Sequence, residues 1–84
     1  MSIKNQTVCI TGAGSGIGRA ISIEMNKVGY NVACADKNFE SAQETVSLLN
    51  SQFSKSISLK VDVRNIDQIN KMIEDVINNF GSLD

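Results

Sequence analysis

Along the chain, apolar positions switch repeatedly between a strand rhythm and a helix rhythm. Thr7-Val8-Cys9-Ile10-Thr11 is β-branched and apolar, the composition of a buried strand. Ile17, Ala20, Ile21, Met25 and Val28 then recur at the spacing of one helix face. Gly29-Tyr30 breaks that pattern, and Asn31 to Asp36 supplies a second strand. From about Phe39, the residues Phe39, Ala42, Val46, Leu49 and Phe53 mark a second helical face. Ile57 to Val63 alternates strictly, with Ile57, Leu59, Val61 and Val63 set against Ser58, Lys60 and Asp62. That alternation predicts a strand with one wetter face, as at a sheet edge. Asn65 is placed as an N-cap, with Gln68 reaching back from the third helical position. Ile66, Ile69, Ile73, Val76, Ile77 and Phe80 line a third helix, and Gly81 stands where it should stop. Strands alternating with helices over short connections imply parallel pairing and right-handed crossovers. The expected sheet order is 3-2-1, with the first two helices on one face. With no proline, no low-complexity tract and no linker, residues 1–84 read as one domain.

Between the first strand and the first helix stands Thr11-Gly12-Ala13-Gly14-Ser15-Gly16-Ile17-Gly18-Arg19-Ala20. A turn this tight needs unusual φ/ψ angles and no Cβ in the way of a ligand, and glycine offers both. The helix behind it points unpaired N–H groups and its positive dipole end at any anion that docks there. The loop therefore reads as a phosphate cradle. Gly12 begins the turn, and Gly16 and Gly18 let a pyrophosphate and the strand approach the helix start. Gly14 belongs to the same cradle, and Ser15 and the N–H of Ile17 are the expected phosphate donors. Ile17 is also expected to pack as the first core residue of the helix. Arg19 lies in the first helical turn, where the dipole disfavours a cation, and reads as a solvated surface arginine, a contact to a phosphate being the alternative. Ile17 stands where G-x-G-x-x-G would place its third glycine, and no Lys-Ser or Lys-Thr follows as in a P-loop.

What Thr11, Gly12, Gly16 and Gly18 do match is T-G-x-x-x-G-x-G, and in this the segment from Thr11 to Ala20 resembles the cofactor loop of the short-chain dehydrogenase/reductase family. Asn31-Val32-Ala33-Cys34-Ala35-Asp36 resembles that family's second strand with its terminal acid. Val61-Asp62-Val63 resembles its adenine-contacting Asp-Val pair, and Phe80-Gly81-Ser82-Leu83-Asp84 the approach to its fourth strand. The resemblance implies an α/β fold with a Rossmann-type parallel sheet, of which this chain holds the N-terminal, cofactor-binding βαβαβα half. It also implies that the third helix crosses to the opposite face of the sheet and delivers a fourth strand beside the first. Asp36 closes a strand eighteen residues after Gly18, close to the roughly 20 expected for a ribose-binding acid. A carboxylate there accepts hydrogen bonds from the ribose hydroxyls of NAD and repels the 2′-phosphate of NADP, although neighbouring Lys37 softens that repulsion. An aspartate that merely opens the turn before the second helix is the lesser alternative. Asp62 and Val63 are implied as an adenine clamp, and Asp62 reads as well as a polar strand-end residue.

Composition narrows the classes. Hydrophobic residues make up 42% and charged residues 20%, ordinary for a globular protein. Eight basic and nine acidic residues leave a net charge of −1, and the basic ones are scattered, so no nucleic-acid stripe is visible. No apolar run approaches membrane-spanning length, and Met1 to Asn5 lacks a signal-peptide core, which makes a cytoplasmic protein the expectation. Cys9 and Cys34 sit in apolar strand runs and read as inert buried thiols, a disulfide between adjacent strands being the alternative. Without histidine or a CxxC pair, no metal site is expected.

The family resemblance implies hydride transfer between nicotinamide and an alcohol or carbonyl substrate, with a tyrosine as acid/base, a lysine lowering its pKa, and a serine. Here the single tyrosine, Tyr30, lies in a turn with Cys34 rather than lysine four positions on, so no catalytic residue is assigned. The 84-residue chain is expected to be a fragment, inactive alone, whose first strand keeps an open edge prone to self-association. Two other readings stand beside the dehydrogenase. Gly12-Ala13-Gly14-Ser15-Gly16 is also the GxGxG of S-adenosylmethionine methyltransferases, though these usually place an acid where this chain has Thr11. A non-catalytic half-Rossmann module that binds nucleotide is the other.

Overall fold

A computed structural model describes residues 6–81. The element order is β1 (Thr7–Thr11), α1 (Gly16–Val28), β2 (Asn31–Asp36), α2 (Phe39–Ser47), β3 (Ser56–Lys60) and α3 (Ile66–Phe80). The three strands form one parallel sheet in the order β1-β2-β3, which is the 3-2-1 arrangement read from the other end. Thr11 pairs with Ala35 and Asp36 with Lys60, so the carboxyl ends of all three strands open on one side of the molecule. Residues 82–84, the expected approach to a further strand, lie outside the described residues.

The central strand explains the layering. Val32, Ala33, Cys34 and Ala35 are all fully buried, as a parallel strand covered on both faces requires. Ala33 and Ala35 join Val61, Met72 and Val76 in one core, with Cys9, Ile57, Leu59, Ile69, Ile73 and Phe80 against it; α3 covers this face. Val32 and Cys34 join Ala13 in the other core, with Val8, Ile10, Met25, Val46 and Leu49, beneath α1 and α2. The third helix does cross the sheet. Because Cys9 pairs with Ala33 and Ile10 with Cys34, the two thiols point to opposite faces, and both are free. The adjacent-strand disulfide is thereby removed, and burial pushes both thiol pKa values up.

Element ends follow their local chemistry. Gly29 (φ 112) and Gly81 (φ 83) end α1 and α3 in left-handed conformations, where side chains are strained. Asn65 Oδ1 accepts from the N–H groups of Asp67 at 3.0 Å and Gln68 at 3.2 Å, the expected N-cap. The Gln68 side chain does not complete a capping box, however: its Oε1 accepts from the Asp62 N–H at 2.8 Å. β3 stops at Lys60, before the expected Val63, because the Asp62–Asn65 turn begins at once, Asn65 N–H donating to the Asp62 carbonyl at 2.9 Å. α2 stops at Ser47, and Phe53, expected on its face, stands half exposed in the following turn.

The face of α1 differs most from the sequence pattern. Its buried residues are Ser22 and Asn26, whereas Ile17 is 81% exposed, Val28 58% and Ile21 41%. Gly18 sets this orientation. A Cβ there would collide with the carbonyl oxygen of Gly12, so the helix rests its bare backbone on the loop, and positions 18, 22 and 26 face inward. Ile17 is accordingly no core residue of the described fold.

Candidate functional site

The glycine loop leaves β1 at Thr11 and enters α1 at Gly16, on the carboxyl side of the sheet where open α/β sheets take their ligands. Gly12 and Gly16 have φ of 66° and 54°, and a Cβ on either would meet no described atom within 4 Å. The positive φ demands glycine, and the open space in front of it suits a bulky anion. Ser15 is the N-cap of α1 but makes no side-chain cap hydrogen bond, and the first turn carries no acid. The helix start thus keeps N–H groups that its own cap does not satisfy, at the positive end of the dipole. Those donors and that space fit a diphosphate.

Gly14 faces the other way. It is buried, and a Cβ on it would lie 2.5 Å from Ser41 Cβ and 2.7 Å from Asp36 Oδ2, so glycine is required here by contact with α2. Its N–H donates to Asp36 Oδ2 at 2.8 Å, and its carbonyl accepts from Arg19 Nη2 at 2.6 Å. Arg19 is no solvated arginine: Nε donates to Thr45 Oγ1 at 2.9 Å, and Nη2 also reaches the Ser41 carbonyl at 3.3 Å. Fully buried Thr45 in turn lies 2.7 Å from the Ala13 carbonyl, to which its hydroxyl donates. Arg19, Ser41 and Thr45 escaped the sequence reading. A cation in a first helical turn was the one available signal, since such a group needs acceptors to offset the dipole.

Asp36 ends β2 half-buried, each carboxylate oxygen taking one backbone N–H: Oδ2 that of Gly14, Oδ1 that of Asn38 at 2.9 Å. Each oxygen retains acceptor capacity for a further donor. Asp36 also meets the third strand, its carbonyl accepting from Val61 N–H at 3.0 Å. The fold therefore brings the glycine loop, Asp36 and the Val61-Asp62-Val63 segment to one edge. Asp62 is gripped by Arg64, whose Nε and backbone N–H donate to Oδ1 at 3.1 and 3.0 Å and whose Nη2 donates to Oδ2 at 3.0 Å. That grip holds the Asp62 carboxyl at about 2, and nearby Lys37 adds to it. Val63 is 56% exposed. Tyr30 sits in the turn before β2, at the opposite end of the sheet. Among the described residues no three His, Cys, Asp or Glu side chains cluster as metal ligands, and no helix is long and apolar enough to cross a membrane.

A three-layer parallel sheet with a glycine loop at the first strand–helix junction defines a Rossmann-type fold. Residues 6–84 match the short chain dehydrogenase family, and the chain belongs to that family. It is 37% identical over 90 aligned positions to versicolorin reductase 1 of Dothistroma septosporum, covering 100% of this chain and 34% of the relative. It is 34% identical over 87 positions to a hydroxynaphthalene reductase-like protein of Metarhizium acridum, covering 99% of this chain and 32% of the relative. Among solved structures, a Haemophilus influenza protein assigned as a D-mannonate oxidoreductase, with NAD bound, superposes with a TM-score of 0.90 at 25% identity, covering 99% of this chain and 30% of that one. An Escherichia coli hydroxysteroid dehydrogenase superposes with a TM-score of 0.92 at 24% identity, covering 98% of this chain and 35% of that one. The chain spans about a third of the length of the relatives it matches.

Proposed function

We propose that this chain is the dinucleotide-binding part of an NAD-dependent oxidoreductase that moves hydride between nicotinamide and an alcohol or carbonyl substrate. The observation that carries the reading is the open, Cβ-free space before Gly16 at the uncapped start of α1, in a member of the short-chain dehydrogenase family. The backbone at Ser15, Gly16 and Ile17 donates to the diphosphate, while Gly12 and Gly18 shape the turn. Gly14 serves from beneath, as the residue pinned to α2. Asp36 takes the adenosine ribose, with acceptor capacity left on both oxygens, and its charge favours NAD over NADP. Asp62 and the Val63 backbone take the adenine. The nicotinamide supplies the hydride chemistry; no residue of this chain is assigned to proton transfer.

Residues 1–84 form a single cofactor-binding unit in this reading, and the methyltransferase alternative loses ground to the family match. The edge of β1, unpaired among the described residues, is the surface through which the chain by itself would associate. Binding is tested in the protein as its gene encodes it. Gly16→Val places a branched side chain in the open space and is expected to abolish NAD binding in calorimetry. Gly29→Val is strained too, at a φ of 112° at the far end of α1, and is expected to lower stability while leaving binding intact. Normal NAD binding by folded Gly16→Val would refute the cradle.

A further inference from the structure

We propose that Arg19 is a positioning residue for the diphosphate loop: from α1 it fixes the Gly14–Ser15 peptide so that the Ser15 N–H faces the anion. The proposal rests on the cofactor reading above. Its first support is the planarity of the peptide bond, which places a carbonyl and the following N–H on opposite sides. The Gly14 carbonyl is turned inward, accepting from Arg19 Nη2 at 2.6 Å. Its partner across the same peptide, the Ser15 N–H, is therefore turned outward, at the exposed mouth of α1. Rotating that peptide would cost the carbonyl a charge-assisted hydrogen bond and withdraw the donor together.

The anchor behind Arg19 is itself fixed. Nε donates to Thr45 Oγ1, and the same hydroxyl, fully buried, donates a hydrogen bond to the Ala13 carbonyl, so guanidinium, α2 and two successive loop carbonyls form one network. Asp36 completes the clamp from the other side by accepting the Gly14 N–H, leaving Gly14 held at both its nitrogen and its oxygen. The Glu44 carboxylate lies 3.3 Å from Nη2 but is 71% exposed and adds little. With Nε and Nη2 committed to protein acceptors, Arg19 acts through the loop. It is then a device for pre-ordering donors before the ligand arrives, which lowers the ordering cost of binding. Its effect should fall on the diphosphate and spare the adenosine end.

The test compares adenosine with ADP-ribose, which adds the diphosphate, by calorimetry on the protein as its gene encodes it. Arg19→Met is expected to weaken ADP-ribose roughly tenfold or more, the scale of losing charge-assisted hydrogen bonds, with adenosine affinity unchanged. Thr45→Val, equal in shape, should weaken ADP-ribose by a smaller factor. Arg19→Lys should fall between wild type and Arg19→Met, because one ammonium can reach the Gly14 carbonyl but has no Nε for Thr45. A purely structural role would move both ligands together, so parallel losses overturn the proposal, as does wild-type ADP-ribose binding by Arg19→Met. Failure of the wild type to prefer ADP-ribose over adenosine, or normal ADP-ribose binding by Gly16→Val, would instead overturn the cofactor reading itself.

Discussion

Asn26 holds Asn50 by both ends of its amide: Nδ2 donates to the Asn50 carbonyl at 3.1 Å, and Oδ1 accepts from the Asn50 N–H at 2.8 Å. The same Nδ2 reaches Ser54 Oγ at 2.8 Å. Asn26 is only 2% exposed, so these bonds replace water for a polar group that would otherwise be stranded. They also draw the chain away from the α2 axis after Ser47, where single 3.0 Å bonds from Leu48 to Thr45 and Leu49 to Val46 replace the helical ladder.

Asn26→Ala is therefore expected to destabilise the protein by about 2–3 kcal/mol, the range for several buried hydrogen bonds lost with a small cavity. Asn26→Asp should be at least as costly, since a carboxylate cannot donate to the Asn50 and Ser54 oxygens and would be buried as an anion. Urea denaturation midpoints check both. A change within about 0.5 kcal/mol for Asn26→Ala, the ordinary surface range, would show that the Asn26–Asn50 contact carries no structural weight.

Asp36 makes a second prediction sharper than charge alone. Because its two oxygens serve Gly14 and Asn38 separately, no neutral side chain of similar shape can serve both: asparagine offers one acceptor, and its NH₂ would face the other N–H. Wild-type protein is expected to bind NAD more tightly than NADP. Asp36→Asn should narrow that ratio by removing the repulsion, and it should also weaken both cofactors by freeing one of the two backbone turns. Titration of both cofactors against both proteins decides the matter. Equal wild-type affinities would refute the specificity assignment.

The strands, their order and the two glycine stops were legible because each rests on local chemistry: β-branched runs, short connections, and a residue tolerant of the left-handed region. The face of α1 was not. Hydrophobic spacing pointed to Ile17, Ile21 and Val28, yet the close approach of Gly18 to the Gly12 carbonyl outranks it and turns small Ser22 and polar Asn26 inward. Similarly, Gly14 looks like one more cradle glycine until Ser41 is found 2.5 Å from where its Cβ would stand. Such contacts reach outside the element's own repeat, from loop to helix start in Gly12 and Gly18, and across 22 positions from Arg19 to Ser41 or 27 from Gly14 to Ser41. Periodicity along one element carries no information about them. The Arg64 clasp has a simpler explanation: neither reading of Asp62, adenine clamp or polar strand end, calls for a partner two residues on, and the turn after β3 supplies one.

That neglected pair gives the last prediction. Arg64 clasps both oxygens of Asp62 and holds its carboxyl at about 2, below the ordinary 3.8. Hydrogen bonding is the larger cause and charge the smaller, with Lys37 contributing in the same direction. Since the folded value lies below the unfolded one, the clasp stabilises the fold fully above about pH 4 and ceases to do so as pH falls toward 2. Arg64→Ala should return the Asp62 titration midpoint, followed by carboxyl-carbon NMR, toward 3.8. High salt should move the wild-type midpoint only part of the way, because screening weakens the charge contribution and leaves the hydrogen bonds. The stability difference between wild type and variant should be constant near neutral pH and should disappear in acid. Three acceptances are already made, two on Oδ1 and one on Oδ2, so Oδ2 keeps room for an adenine amine without release of Arg64. An unchanged midpoint in Arg64→Ala would mean that the clasp does not persist in solution.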